Sequence, residues 1–306
     1  MKIKNANSTS CKKCLQISLS LEMMIRFAQL VNPNYDIYQR MGIKPGIPIP
    51  NDAAAERIVI DMIRDDLYVE FVEALIRIET EGYMARRYNL QGLNNVVAGI
   101  VAEGYSFDRV TGQFFENQQQ RISPSWGRLH EGDIRKMAVL RLDIVGNSTL
   151  VRNNPQAKLK KTYDDIRNIV YKAAVSRIGR LWSWEGDGGL AVFLIGPIER
   201  NAVYAGMEIL HELYFYNRLH NQLDGSINVR ISTHIGQVQY SDSELERLKN
   251  DTVKQAMALE GMASPNTLSV SYNLYMAMDP VISNLFSSEK TGRGLKYRLY
   301  TIRTEK

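Results

Sequence analysis

From residue 137 onward the chain alternates short apolar runs with long amphipathic stretches, and few architectures accommodate that alternation. Residues 137 to 142 read as a strand that ends at Asp143. Residues 158 to 178 carry Ile166, Ile169, Val170, Ala173, Ala174 and Ile178 at helical spacing. Residues 180 to 195 read as a hairpin that turns at G-D-G-G, where glycines supply the dihedrals of a tight reversal. A helix over 200 to 223 follows, then strands over 228 to 234 and 237 to 240. A helix over 252 to 262 and strands over 267 to 270 and 296 to 302 complete the pattern. The order β-α-β-β-α-β with an appended α-β portion predicts an α+β fold, a ferredoxin-like sheet covered by helices.

The preceding chain has a different texture. Residues 43 to 52, I-K-P-G-I-P-I-P-N-D, contain three prolines and a glycine and cannot continue a helix. Residues 54 to 79 place Ile58, Met62, Phe71, Leu75 and Ile78 at helical spacing, with Gly82 as a stop. Residues 83 to 103 read as further helix, and 104 to 132, rich in Gly, Ser, Gln and Pro, as irregular. The expected division is a mainly helical region over 1 to 132, without a motif that assigns it a role, and a second domain over 133 to 306.

Several classes are disfavoured. The longest early apolar stretch, residues 15 to 31, is interrupted by Glu22 and Arg26 and falls short of the roughly 18 uncharged residues of a bilayer span. No secretory cleavage pattern follows it, so the expected location is the cytoplasm, away from a membrane. The net charge of +5 is dispersed over 38 basic and 33 acidic residues, which favours a small polyanion over nucleic acid. Neither a zinc-finger spacing nor the aromatic and basic strand pattern of an RNA-binding sheet is present. Cys11 and Cys14 form a lone C-K-K-C with no second pair, which reads as a mobile, reduced N-terminal segment rather than a zinc site.

The chemistry is expected at two acidic turns. In R-L-D-I-V-G-N-S, Asp143 ends an apolar strand, and the backbone N–H groups of Gly146, Asn147 and Ser148 are candidates for a phosphate. Asp143 and the carbonyl of Ile144 are hard oxygen donors suited to a divalent cation. Asp187 lies at the hairpin tip in W-E-G-D-G-G-L-A-V-F. If the two strands are neighbours, both aspartates project from one end of the sheet and share a pair of ions.

In this order the motifs resemble the class III nucleotidyl cyclases over residues 134 to 303. The R-L-D-I-V-G-N-S and G-D-G segments, V-R-I-S-T-H-I-G and A-L-E-G-M-A-S-P-N all have counterparts there. The resemblance implies that Asp143, Ile144 and Asp187 hold two Mg2+ or Mn2+ ions per active site. It implies a nucleoside triphosphate substrate and a homodimer with active sites at the interface. K-T-G-R-G-L-K-Y resembles the family's triphosphate-contacting turn, which makes Arg293 the candidate phosphate contact, with Lys290 and Lys296 as alternatives and a solvated basic loop as the plain reading.

The chain departs from the purine cyclases at the base-reading positions. The first holds Ser183, beside Trp182 and Trp184 at the expected base pocket, and the second falls near Arg247. Where the family offers an asparagine and an arginine to the transition state stand Lys254 and Ala258. Lys254 is then either the replacement cation, acting as a point charge, or an ordinary exposed helix residue. An intact metal pair beside a lost purine code is similar to the bacterial pyrimidine cyclases of Pycsar antiphage systems. That resemblance implies cyclic UMP or cyclic CMP, UTP being placed ahead of CTP, made as an alarm signal for a downstream effector. A purine cyclase and a catalytically silent nucleotide-binding regulator are the competing readings.

Overall fold

The computed structural model describes residues 5 to 302; residues 1 to 4 and 303 to 306, which belong to the two expected regions, lie outside it. The chain forms two compact units, Met1–Ile122 and Ser123–Lys306. No helix among the described residues is long and apolar enough to cross a membrane.

The first unit contains α1 (Asn5–Ser18), α2 (Leu21–Val31), α3 (Ile37–Met41), α4 (Asn51–Arg64), α5 (Tyr68–Glu81) and α6 (Leu93–Ala102), followed by β1 (Tyr105–Asp108) and β2 (Gln113–Glu116). Its core joins Leu15, Phe27, Ile58, Met62, Phe71 and Ile100. The continuous helix expected over 54 to 79 is broken into α4 and α5. Asp66 takes φ +58°, and the N–H groups of Leu67 and Asp66 donate back to the carbonyls of Met62 and Ile63 at 2.8 and 3.2 Å. This left-handed cap closes α4 although the apolar period runs on through it, because acids at a helix C-terminus oppose its dipole. Only 93 to 102 of the helix expected over 83 to 103 forms, and the stretch over 104 to 132, expected to be irregular, contains the β1–β2 hairpin. The Glu73 carboxylate accepts the Phe114 N–H at 2.6 Å and ties that hairpin to α5.

Cys11 and Cys14 also depart from expectation. They lie inside α1, buried and unbridged, rather than on a mobile segment. Burial pushes the Cys11 thiol from 9.0 up to about 12 and the Cys14 thiol up to about 11. In the unfolded chain both lose their protons near their ordinary value, so the unfolded state binds fewer protons as the pH rises above about 9. The thiols therefore support folding below that value and progressively less between 9 and the raised values. Both are expected to resist a thiol reagent at pH 8 until denaturant is added, and the first unit to weaken above pH 9. Rapid labelling of native protein would contradict the burial.

The second unit begins ten residues before the expected boundary. Its elements are β3 (Ile134–Ile144), α7 (Asn147–Asn153), α8 (Gln156–Val175), β4 (Arg180–Glu185), β5 (Gly188–Phe193), α9 (Ile198–Leu219) and β6 (Val229–Gln239). They continue with α10 (Glu244–Leu248), α11 (Asp251–Glu260), β7 (Thr267–Ser271), α12 (Tyr272–Tyr275), α13 (Pro280–Ser283), β8 (Lys290–Gly292) and β9 (Leu295–Thr301). The sheet order is β4-β5-β3-β6-β7-β9-β8. The first four strands are each antiparallel to their sheet neighbours and follow the ferredoxin-like βαββαβ path, after which α11 crosses over to β7, parallel to β6. The strands expected over 228 to 234 and 237 to 240 are one strand, because β6 stays paired with β3 through Gly236 opposite Met137.

Strand alternation divides β3 between two faces. Ala138, Leu140, Leu142 and Ile144 join the core with Ile166 and Val170 of α8 and Ile209 and Leu213 of α9. Val139, Arg141 and Asp143 take the other face.

Residues 123 to 132 belong here because they cover β4. The Trp126 indole N–H donates to the Ile178 carbonyl at 2.6 Å, that of Trp182 to the Pro124 carbonyl at 3.0 Å, and Arg180 Nε to the Ser123 carbonyl at 2.9 Å. Trp126 is fully buried, with the Arg180 guanidinium 5.3 Å from its ring centroid.

Candidate functional site

The two aspartates arrive together because β3 and β5 are neighbours. Asp143 lies opposite Gly188 in the β3–β5 register, and the Ile144 N–H donates to the Asp187 carbonyl at 3.1 Å. Gly188 permits this approach: a Cβ there would stand 2.7 Å from the Leu142 carbonyl oxygen and 3.1 Å from Arg141 Nη2. Gly146, at φ +71°, turns the chain out of β3 into α7, which begins with Asn147 and Ser148.

Asp143 is not alone. In the β3–β6 register it faces Arg230, whose Nη2 stands 2.9 Å from Asp143 Oδ2. Arg230 Nε lies 2.8 Å from Glu260 Oε1 at the end of α11, an ion pair whose N–H is not aimed as a hydrogen bond. Burial pushes the Glu260 carboxyl up, Arg230 opposes that shift and Asp143 adds to it. Arg141 on the same face of β3 keeps a buried Nε without a hydrogen-bond partner. Arg230 and Glu260 are not among the site residues expected from the sequence. The signal was present: in V-R-I-S-T-H-I-G, alternation puts Arg230 on one face with Ser232 and His234, and only the register shows that face to be Asp143's.

On the Asp187 side, Tyr163 of α8 donates its hydroxyl to Asn147 Oδ1. Burial pushes this phenol up, the nearby Asp187 charge adds to the shift, and the bond to Asn147 opposes it.

The donor set suits a hard divalent cation. Among the described residues no group of three or more His, Cys, Asp or Glu side chains is gathered to hold a metal. A divalent cation held by Asp143 and Asp187 would draw the rest of its coordination shell from carbonyl, water and phosphate oxygens.

The other expected site residues are distributed unevenly. Ser183 is buried on Asp143's face of the sheet, opposite Leu190. Trp184 is not: the β4–β5 register shifts between Leu181 and Ser183, so Trp182 is the extra residue of a bulge. Trp182 packs with Trp126 and Tyr240, whereas Trp184 lies opposite Gly189 and packs on the core covered by α8 and α9. Arg247 is buried and committed to carbonyls of Ser241, Asp242 and Trp182, with its guanidinium 5.4 Å from the Trp182 ring centroid, so it is a brace and not a free base-reading group. Lys254 is exposed on α11 and pairs with Asp251 at 3.3 Å. Arg293 is exposed in the β8–β9 turn, where its Nη1 would be 3.8 Å from a Cβ at Gly261. Lys290 is exposed, and Lys296 pairs with Glu289 at 3.0 Å.

The fold and the carboxylate pair define a ferredoxin-like α+β unit with two adjacent aspartates at one end of its central strands. No protein-family model and no curated protein matches the chain. Among solved structures, the chain is similar to the guanylate cyclase domain of RhGC from Catenaria anguillulae in complex with GTP, at 17% identity over 56% of this chain and 100% of that one, with a TM-score of 0.47. It is similar to an adenylate/guanylate cyclase/hydrolase from Silicibacter pomeroyi, at 20% identity over 56% and 100%, TM-score 0.47. It is also similar to the adenylyl cyclase CyaB from P. aeruginosa, at 17% identity over 57% and 98%, TM-score 0.45.

Proposed function

We propose that the second unit is a nucleotidyl cyclase that converts a pyrimidine nucleoside triphosphate, UTP ahead of CTP, into its 3′,5′-cyclic monophosphate and pyrophosphate. The observation that carries this reading is the adjacency of Asp143 and Asp187 across β3 and β5. In the reaction the ribose 3′-oxygen bonds to the α-phosphorus, the bond from that phosphorus to the bridging oxygen breaks, and the hydroxyl proton is lost. Asp143, Asp187 and the Ile144 carbonyl are the groups assigned to two Mg2+ or Mn2+ ions. Such ions, when bound, lower the pKa of the attacking hydroxyl and offset phosphate charge.

The chain's own task is to position the triphosphate and balance its charge. Arg230 is paired with Asp143 and can shift Nη2 from it to a phosphate oxygen while Nε stays beside Glu260. Gly146, Asn147 and Ser148 are assigned to the phosphates through their backbone N–H groups. Lys254 and Arg293, both exposed, are assigned as phosphate cations supplied across a homodimer. The pyrimidine assignment is supported by Ser183, a short buried hydroxyl on Asp143's face, and by Arg247, which is buried and whose Nη1 and Nη2 donate to backbone carbonyls. In this reading the product is a cytoplasmic antiphage second messenger that a downstream effector detects.

The purified protein should be incubated with each of the four ribonucleoside triphosphates and Mn2+, with products identified by mass. Cyclic UMP or cyclic CMP is the expected main product. Cyclic AMP or cyclic GMP as the main product overturns the pyrimidine assignment. No cyclic product overturns the enzyme and leaves a nucleotide-binding regulator, which the side chain of Ala258 and the Lys254–Asp251 pair would favour.

A further inference from the structure

The bulge that removes Trp184 from Asp143's face delivers it to a cavity. The space, about 660 Å³, opens beside the β4–β5 turn against α7 and the first half of α8. Its apolar surface comes from Trp184, Tyr163, Leu159 and Val151. The Trp184 indole lies against a glycine, since a Cβ at Gly189 would meet its Cε3 at 2.2 Å. Lys160 and Arg167, both exposed, also line the cavity, flanking Tyr163 along one side of α8. Asp164 is the single acid in the lining, so the charge facing the cavity is positive.

We infer that this cavity binds a small anion that carries a planar aromatic ring, of which a nucleoside monophosphate is the simplest probe. The ring lies against the Trp184 indole, and the anionic group sits with Lys160 and Arg167. The volume falls within the range of small-molecule sites, and an aromatic wall with a few placed charges is their usual chemistry. The site is separate from the carboxylate pair, because Trp184 takes the opposite face of the sheet from Asp143. It is also connected to that pair. Tyr163 lines the cavity, its hydroxyl holds Asn147 at the start of α7, and the Asp187 charge reaches its phenol. An occupant therefore touches the residue that positions the expected phosphate loop.

The chain has three tryptophans, of which Trp126 and Trp182 are buried and Trp184 is half-buried, so the part of the intrinsic fluorescence that Trp184→Phe removes reports the cavity. UMP and AMP should be titrated separately into the full chain without triphosphate. The expected result is saturable quenching that disappears in Trp184→Phe and weakens at least about ten-fold in Lys160→Glu with Arg167→Glu, through introduced like charge. It should persist in Asp143→Asn with Asp187→Asn. The charge-reversed pair changes exposed positions and keeps the test valid if Trp184→Phe folds poorly. Absence of quenching by both nucleotides overturns the inference. Quenching lost in the aspartate variant but kept in the charge-reversed one also overturns it, by moving the ligand to the carboxylate pair. Self-association that Trp184→Phe abolishes, without quenching, would assign the cavity to a second copy and overturn it too.

Discussion

Asp143→Asn combined with Asp187→Asn is expected to reduce cyclic-nucleotide formation at least about a thousand-fold while leaving the fold intact. Single charge-stabilising groups in active sites are typically worth about 10²–10³ in rate, and groups that act as a unit are strongly non-additive. Each single substitution should therefore approach the loss of the double one. Stability should change little. Asp143 is partly exposed, and its asparagine still accepts from Arg230, which also retains Glu260. Asp187 contributes its backbone carbonyl to the Ile144 N–H, which the substitution does not touch. Product mass analysis beside thermal unfolding separates the two effects. Turnover that persists in the double variant would remove the aspartates from the chemistry, and a collapse of the fold would make them structural residues.

Trp126→Ala is expected to cost the second unit roughly 3–5 kcal/mol, the usual range for emptying a fully buried large aromatic site. For a unit of this size that lowers the thermal midpoint by on the order of 10 °C. Three losses coincide: the buried indole volume, its hydrogen bond to the Ile178 carbonyl, and the ring beside the buried Arg180 guanidinium. Trp126→Phe restores most of the volume and the aromatic face but not the donor, so its cost should be well under half. A shift below about 2 °C for the alanine variant would show that residues 123 to 132 are not integral to the sheet. The second unit would then begin near the boundary expected from composition.

That boundary illustrates why composition misleads here. Residues 104 to 132 are rich in turn formers, yet Tyr105 to Glu116 form a hairpin and Ser123, Pro124 and Trp126 bind β4. Strands of four residues are too short for alternation to distinguish, and a backbone carbonyl that accepts from a distant tryptophan leaves no mark in local sequence. Helix limits were better marked in the second unit, where amphipathic periodicity places α8 and α9 within a few residues of their ends. The α4–α5 break was hidden because the apolar period continues across Asp65 and Asp66 while the backbone turns left-handed.

Adjacency of the aspartates was legible to the extent that strand order could be inferred from β-α-β-β-α-β. The apolar run into Asp143, the glycines around Asp187 and the long helix between them are local properties of the chain. They determined which residues end which strands, and therefore that two carboxylates stand at strand ends. The charge partners of Asp143 came only from tertiary structure, since Arg230 and Glu260 reach it through the β3–β6 register and the packing of α11. The destinations of Trp182, Ser183 and Trp184 were decided the same way. Alternation alone would put both tryptophans on one face, but the one-residue bulge at Trp182 reverses the side of all that follows it in β4. Pairing with β5 and burial between Trp126 and Tyr240 hold that bulge in place, and neither contact is encoded within the strand itself.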